Sequence, residues 1–358
     1  MFKETTFYSP KKIDETESIY RLIIGQRSNG KTYAMCEKIL TEYKKSGRPS
    51  AYIRRFAEDI KPKNIESLFN PHDIKKITRK YNAVQYRSNS FYFVYKDENG
   101  NVKSKDKNFF CKCYALNTWE HSKGADSGFF KYVVFDEFIS RCGYLSNEFT
   151  HFQNLLSSII RDREDVVIYM LANTVSKFCP YFAEMKIDIE SVKQGDIICI
   201  RTEDKKPFIS VEYCSTNNEV KNKIVKYFDF DTASSTMITT GEWEIPSYPH
   251  LYFEYDKNHV IFSFYIDIQN IKLNADIMEY DENILLFIYP MTKEKEKISS
   301  DLWYTDSPKC SLHQKSLLKG TLKIHKLIKS LISENRIYFS DNFTGDKFFN
   351  LIGVMKNE

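Results

Sequence analysis

The chain has 358 residues, 42% hydrophobic and 28% charged, with 52 Lys and Arg against 48 Asp and Glu and a formal net charge of +4. This length exceeds most single domains and the composition supports a buried core, which excludes a disordered or fibrous chain and makes two domains the expectation. No apolar run is long enough to span a bilayer, Met1-Phe2-Lys3-Glu4-Thr5 lacks a signal-peptide core, and the eight cysteines lack zinc spacing, so a cytoplasmic chain with reduced thiols and no structural metal is expected.

In chain order, the first predicted element is a short buried strand, Leu22-Ile23-Ile24. It runs into Gly25-Gln26-Arg27-Ser28-Asn29-Gly30-Lys31-Thr32, and Tyr33 to Leu40 follow with helical spacing. The octet fits G-x-x-x-x-G-K-[ST], the phosphate-binding loop, in the strand–loop–helix setting it requires. Its glycines let successive N–H groups face a phosphate, and the helix behind presents its positive dipole end. Lys31 then supplies a point charge for the β- and γ-phosphates of ATP, and the Thr32 hydroxyl supplies a Mg2+ ligand.

Ala51-Tyr52-Ile53 predicts a second strand, with Arg54 and Arg55 at its end. These two arginines suit a phosphate, a DNA channel or an acidic partner at a subunit interface, and the sequence does not choose. Ser90 to Tyr95 and Asn108 to Cys111 bracket the turn-rich residues 96–101, which predicts an antiparallel hairpin with an exposed tip. Lys131-Tyr132-Val133-Val134-Phe135-Asp136-Glu137 reads as a strand buried on both faces that delivers two carboxylates to the ligand edge. Asp136 is placed for the Mg2+ shell and Glu137 for polarising water. Read alone, the same string is an ordinary strand with a surface acidic pair.

Phe149, Phe152, Leu155, Leu156, Ile159 and Ile160 recur at helical spacing, and the helix ends in Arg161-Asp162-Arg163. Val166 to Leu171 predicts a strand closing on Ala172-Asn173. A parallel sheet brings Asn173 to the edge of Asp136, where it could sense a γ-phosphate; it reads equally as a turn former. Residues 206–240 are polar, with one helix around Glu219 to Phe228, and suit a linker. Leu251 to Tyr255 and Val260 to Tyr265, joined by 256–259, predict another hairpin. From Lys309 to Lys329 there are six lysines and no acid, so Lys315, Lys319, Lys323 and Lys326 form the basic outer face of an amphipathic helix suited to nucleic acid or a portal rim.

Together, Phe7-Tyr8-Ser9-Pro10, the Gly25 to Thr32 loop with Tyr33-Ala34-Met35, Tyr52-Ile53-Arg54-Arg55, Trp119, Val134-Phe135-Asp136-Glu137-Phe138-Ile139, Arg161-Asp162-Arg163-Glu164 and Ala172-Asn173 resemble the DNA-packaging ATPases of phi29-like bacteriophages. The likeness runs through the first half of the chain. It implies a homo-oligomeric ring, a pentamer, that docks under the portal of a procapsid in the host cytoplasm and drives double-stranded DNA inward, with a structural packaging RNA as a further partner. It also implies that Arg161 is an arginine finger acting in trans, with Lys123 a second basic residue facing the neighbouring subunit. The implied fold is α/β: a P-loop ATPase domain of the additional-strand, catalytic-glutamate type (1–205), a helical linker (206–240) and a smaller α+β ribonuclease H-like domain (241–358). Glu254, Asp256 and Asp267 do not assemble into a two-metal site, so no nuclease activity is expected. The rival readings are a P-loop helicase or DNA-transfer ATPase, and a nucleotide-gated scaffold with little turnover.

Overall fold

The computed structural model describes residues 7–118, 129–140, 144–216, 218–228, 230, 232–268, 271–292, 301–305 and 323–356. Trp119, Lys123, Lys309, Lys315 and Lys319 lie outside the described residues. The chain divides into two compact units, one of residues 1–141, 147–177 and 188–244, the other of 142–146, 178–187 and 245–358.

In the first unit the strands are β1 (Tyr20–Gly25), β2 (Ser50–Arg54), β3 (Ala83–Arg87), β4 (Ser90–Lys96), β5 (Val102–Lys105), β6 (Cys111–Ala115), β7 (Tyr132–Asp136), β8 (Val167–Asn173), β9 (Ile197–Arg201) and β10 (Pro207–Tyr213). They form one sheet in the order β3-β4-β6-β2-β7-β8-β1-β10-β9, with β5 paired to β4. The run β6-β2-β7-β8-β1-β10 is parallel. All five β7 residues are buried, as a strand covered on both faces must be. β8 lies between β1 and β7, so an additional strand separates the phosphate loop from the acidic strand end. The helix Lys31–Ser46 buries Met35, Cys36, Ile39 and Leu40 and ends at Gly47, which is left-handed. The helix Glu148–Ile160 buries Phe152, Leu155, Leu156 and Ile159.

Two expectations for this unit are corrected. Residues 206–240 do not begin as a linker, because β10 pairs in parallel with β1, Leu22 beside Val211. Ser210 and Glu212 interrupt its apolar run, yet both are buried and satisfied, Ser210 by the Cys199 thiol at 3.1 Å and Glu212 by the Tyr8 hydroxyl at 2.6 Å. The unit therefore runs to residue 244, taking in the expected helix, Asn218–Phe228, and a second one, Ala233–Thr240. The predicted hairpin partner is also displaced. β4 turns back through Asp97 to Asn101 into β5, while β6 meets β4 only at Ser90 and Phe91 and otherwise runs parallel to β2.

The second unit holds β11 (Val260–Ile268), β12 (Ile271–Tyr280), β13 (Asn283–Pro290), β14 (Leu302–Thr305) and β15 (Ile337–Phe339), ordered β14-β11-β12-β13-β15. β11, β12 and β13 form an antiparallel meander, and β14 is parallel to β11. A meander with a parallel fourth strand fits the ribonuclease H-like expectation, whereas β15 lies beside β13 instead of continuing from β14. The helix Lys323–Ser333 packs Ile328 and Leu331 into the core. The hairpin expected of 251–255 with 260–265 does not form. β11 pairs with β12, and Leu251, Phe253 and Tyr255 instead pack irregularly against Met278, Leu285 and Phe287. Their aromatic alternation reflects that small cluster, not a strand.

Candidate active site

The phosphate loop leaves β1 at Gly25 and enters the helix at Lys31. Gly30 takes a left-handed φ of 94°, where any other residue would be strained, and a Cβ there would crowd Phe7 at 3.1 Å. The loop is held from both sides. The Tyr8 amide donates to the Asn29 carbonyl at 2.9 Å. Opposite, the buried Gln26 amide group donates to the Thr239 carbonyl at 2.8 Å, at the end of the helix Ala233–Thr240. Gly241 caps that helix at φ 77°, and a Cβ on it would come within 2.8 Å of the Gln26 nitrogen.

Lys31 is buried, and its ammonium donates to the Gln26 carbonyl at 2.8 Å, the Gly25 carbonyl at 3.1 Å, and the Asn29 and Asn173 Oδ1 atoms at 3.2 Å each. Burial lowers its pKa from 10.5 to about 8. No carboxylate is ion-paired to it among the described residues. A desolvated cation facing only neutral oxygens fits an anionic ligand, and a phosphate satisfies it better than any group now around it.

At the neighbouring strand end, Asp136 Oδ2 accepts from the Thr32 hydroxyl at 3.0 Å and from the Tyr52 hydroxyl at 2.5 Å. Burial and the Asp136 charge raise the Tyr52 pKa well above its ordinary value, so the phenol stays a donor. Thr32 and Asp136 thus form the hard oxygen pair that Mg2+ takes, and the residues present fit that ion. Glu137 follows with φ 61°, its carboxylate exposed and paired to Arg54 at 2.6 Å. Arg27 to Tyr33, Asp136, Glu137, Ala172 and Asn173 line one cleft. Parallel pairing, Gly25 beside Asn173 and Asp136 beside Leu171, is what brings these distant segments to one edge.

Arg54 and Arg55, expected as contacts for nucleic acid or procapsid, here meet carboxylates of this chain. Arg54 engages Glu137, and Arg55 is buried. It donates to both Glu148 carboxylate oxygens at 3.0 and 2.8 Å, to the Glu137 carbonyl at 3.0 Å and to the Phe138 carbonyl at 2.7 Å. A strand end beside the acidic strand brings these arginines to carboxylates of their own chain. Glu148 and Tyr52 carry no role in the sequence reading, since each looks ordinary until its partner is known; Gln26, expected among the loop residues that hold the nucleotide, also ties the loop to the Thr239 carbonyl. Arg161 caps the helix Glu148–Ile160, its side chain exposed and without a hydrogen bond or ion pair among the described residues. Arg163, by contrast, donates to the Ile159 and Ile160 carbonyls. Lys323 and Lys326 are exposed on the helix Lys323–Ser333.

Residues 2–198 match the model of the podovirus DNA encapsidation protein (Gp16) family. The DNA packaging proteins of Bacillus phages phi29 and PZA are each 28% identical to this chain over 182 residues, 50% of this chain and 50% of theirs, so the match spans about half the length of these relatives. Among solved structures, the Phi-28 gp11 DNA packaging motor superposes with a TM-score of 0.58 at 19% identity, covering 99% of both chains. The bacteriophage Phi-29 viral genome packaging motor assembly gives 0.57 at 19%, covering 98% of this chain and 99% of that one. These likenesses establish the fold over both units.

Proposed function

The chain belongs to the podovirus DNA encapsidation protein family, and from that premise we propose that it is the ATP-hydrolysing subunit of a motor that drives double-stranded DNA into a viral procapsid. The observation that carries the reading is the Lys31 ammonium, buried against neutral oxygens beside the Thr32–Asp136 pair. Lys31 and the loop N–H groups hold the β- and γ-phosphates, and Thr32 and Asp136 hold Mg2+. Held by Thr32 and Asp136, Mg2+ would supply charge neutralisation for the phosphate oxygens. Glu137 orients and polarises the attacking water once it exchanges Arg54 for that water, and Asn173, already bonded to Lys31, registers the γ-phosphate.

The exposed guanidinium of Arg161 serves a neighbouring subunit, with Lys123 as a second trans residue, so hydrolysis depends on assembly. The resemblance supports a pentameric ring under a portal, a packaging RNA partner and a transient place on the procapsid in the host cytoplasm. The second unit acts without cutting DNA; Asp256 there caps its own turn through Asn258 and pairs with His259.

The test is steady-state ATP hydrolysis against protein concentration, with and without double-stranded DNA at low salt. Turnover per subunit that rises with concentration and again with DNA is expected. Wild-type turnover in Glu137→Gln protein would instead support the scaffold reading, and strand separation without a procapsid the helicase reading.

A further inference from the structure

Between residues 74 and 112 there are ten Lys and Arg against three Asp and Glu, a net of +7 in a chain whose total is +4, so the remainder carries a net of −3. This stretch folds as the helix Ile74–Thr78 followed by β3, β4 and β5, the antiparallel extension of the first unit's sheet, and the start of β6, which joins that extension to the parallel run. Lys75, Lys76, Arg79 and Lys80 are exposed on the helix and the turn after it. Arg87, Lys103, Lys105 and Lys107 are exposed around the hairpins. Of these eight, only Lys103 is ion-paired among the described residues, to Asp97 at 3.1 Å. Aromatic rings lie among them: the Lys105 ammonium stands 3.5 Å from the Tyr92 ring centroid, and Tyr95 is 45% exposed.

Lysines on a sheet edge commonly serve only to block pairing with another sheet. That accounts for Lys103 and Lys105 on β5. It does not account for Lys75, Lys76, Arg79 and Lys80 on a helix and its turn, nor for Lys107 beyond β5. Nor does solubility require the charge to be concentrated here while the rest of the chain is net negative. A field of one sign, spread over two kinds of element and mostly unneutralised, is the footprint of a polyanion.

We propose that this β3–β6 extension holds the phosphate backbone of duplex DNA. Lysine dominates the surface, and its point charge contacts phosphate without reading bases, as a protein moving along any sequence requires. The assignment rests on the DNA-motor reading, and it is separate from Arg54 and Arg55, which pair with Glu137 and Glu148.

The experiment is fluorescence anisotropy of a labelled mixed-sequence DNA duplex across a salt series, without nucleotide. It compares the full chain with Lys75→Gln/Lys76→Gln/Arg79→Gln/Lys80→Gln, with Lys103→Gln/Lys105→Gln/Lys107→Gln, and with a control, Lys205→Gln/Lys206→Gln, between β9 and β10. Each lost phosphate contact should reduce the slope of log K against log salt by about 0.9, so the first two variants should bind at least about tenfold more weakly at low salt. The control should match the parent chain, and DNA-free ATP hydrolysis should be unchanged in all. Parental slopes in both variants, or equal losses in the control, would overturn the proposal. Tighter binding of the parent chain to duplex RNA than to duplex DNA would overturn DNA as the occupant. Loss of DNA binding in the variants of a chain that hydrolyses no ATP would count against the motor reading and leave this surface standing.

Discussion

Lys31 is set apart by what surrounds it: burial has stripped water from its ammonium and supplied four neutral oxygens in exchange. The consequence is a pH dependence with a definite sign. Its pKa is about 8, while a bound polyphosphate favours the charged form, so binding takes up a proton above that value. ATP affinity should be flat below about pH 8 and fall up to about tenfold per unit above it, toward the pKa of the bound form. Titration of a fluorescent ATP analogue across that range checks this, and a flat profile to about pH 10 would contradict it. The same depressed pKa means an unfolded chain holds a proton that the folded one has lost between about 8 and 10.5, so fold stability should gain over that interval. Sequence marked Lys31, Thr32, Asp136 and Glu137 because their spacing is a motif. It left Arg54 and Arg55 open because an arginine's partner depends on which strand lies beside it.

Among elements, the clamp between β2 and the helix Glu148–Ile160 ties the acidic strand end in place. Arg55 and Glu148 are both buried, and Arg55 also satisfies the carbonyls of Glu137 and Phe138. Removing one partner strands a buried charge, so Glu148→Ala should cost about 3–5 kcal/mol. In a unit of this size that lowers the thermal midpoint by about 2–4 °C per kcal/mol. Calorimetry reads the stability, and hydrolysis should fall further than nucleotide affinity, since the loop itself is untouched. An unchanged midpoint would show the pair to be dispensable. β1, β7 and β8 were legible because strands covered on both faces are continuous apolar runs. β10 was not, because Ser210 and Glu212 look exposed until Cys199 and Tyr8 satisfy them. Residues 251–255 were misread for the opposite reason, as aromatic residues that cover a small cluster imitate a strand's alternation.

For the whole molecule, the proposed trans role of Arg161, whose side chain has no hydrogen bond or ion pair among the described residues, has a direct test. Protein carrying Arg161→Ala mixed with protein carrying Lys31→Ala should recover measurable hydrolysis at mixed interfaces, though neither hydrolyses alone. No recovery, with assembly confirmed by sedimentation, would assign Arg161 to its own subunit or to none. By itself, the sequence determined that this protein carries a phosphate loop, an acidic strand and a first-half likeness to DNA-packaging ATPases, because motif spacing and apolar periodicity are local properties that survive without a partner. Only the tertiary structure decided that β10 joins the sheet beside β1, that Arg54 and Arg55 meet Glu137 and Glu148, and that the unneutralised charge gathers on the β3–β6 extension. Pairing, burial and the summed field are made by residues far apart in the chain.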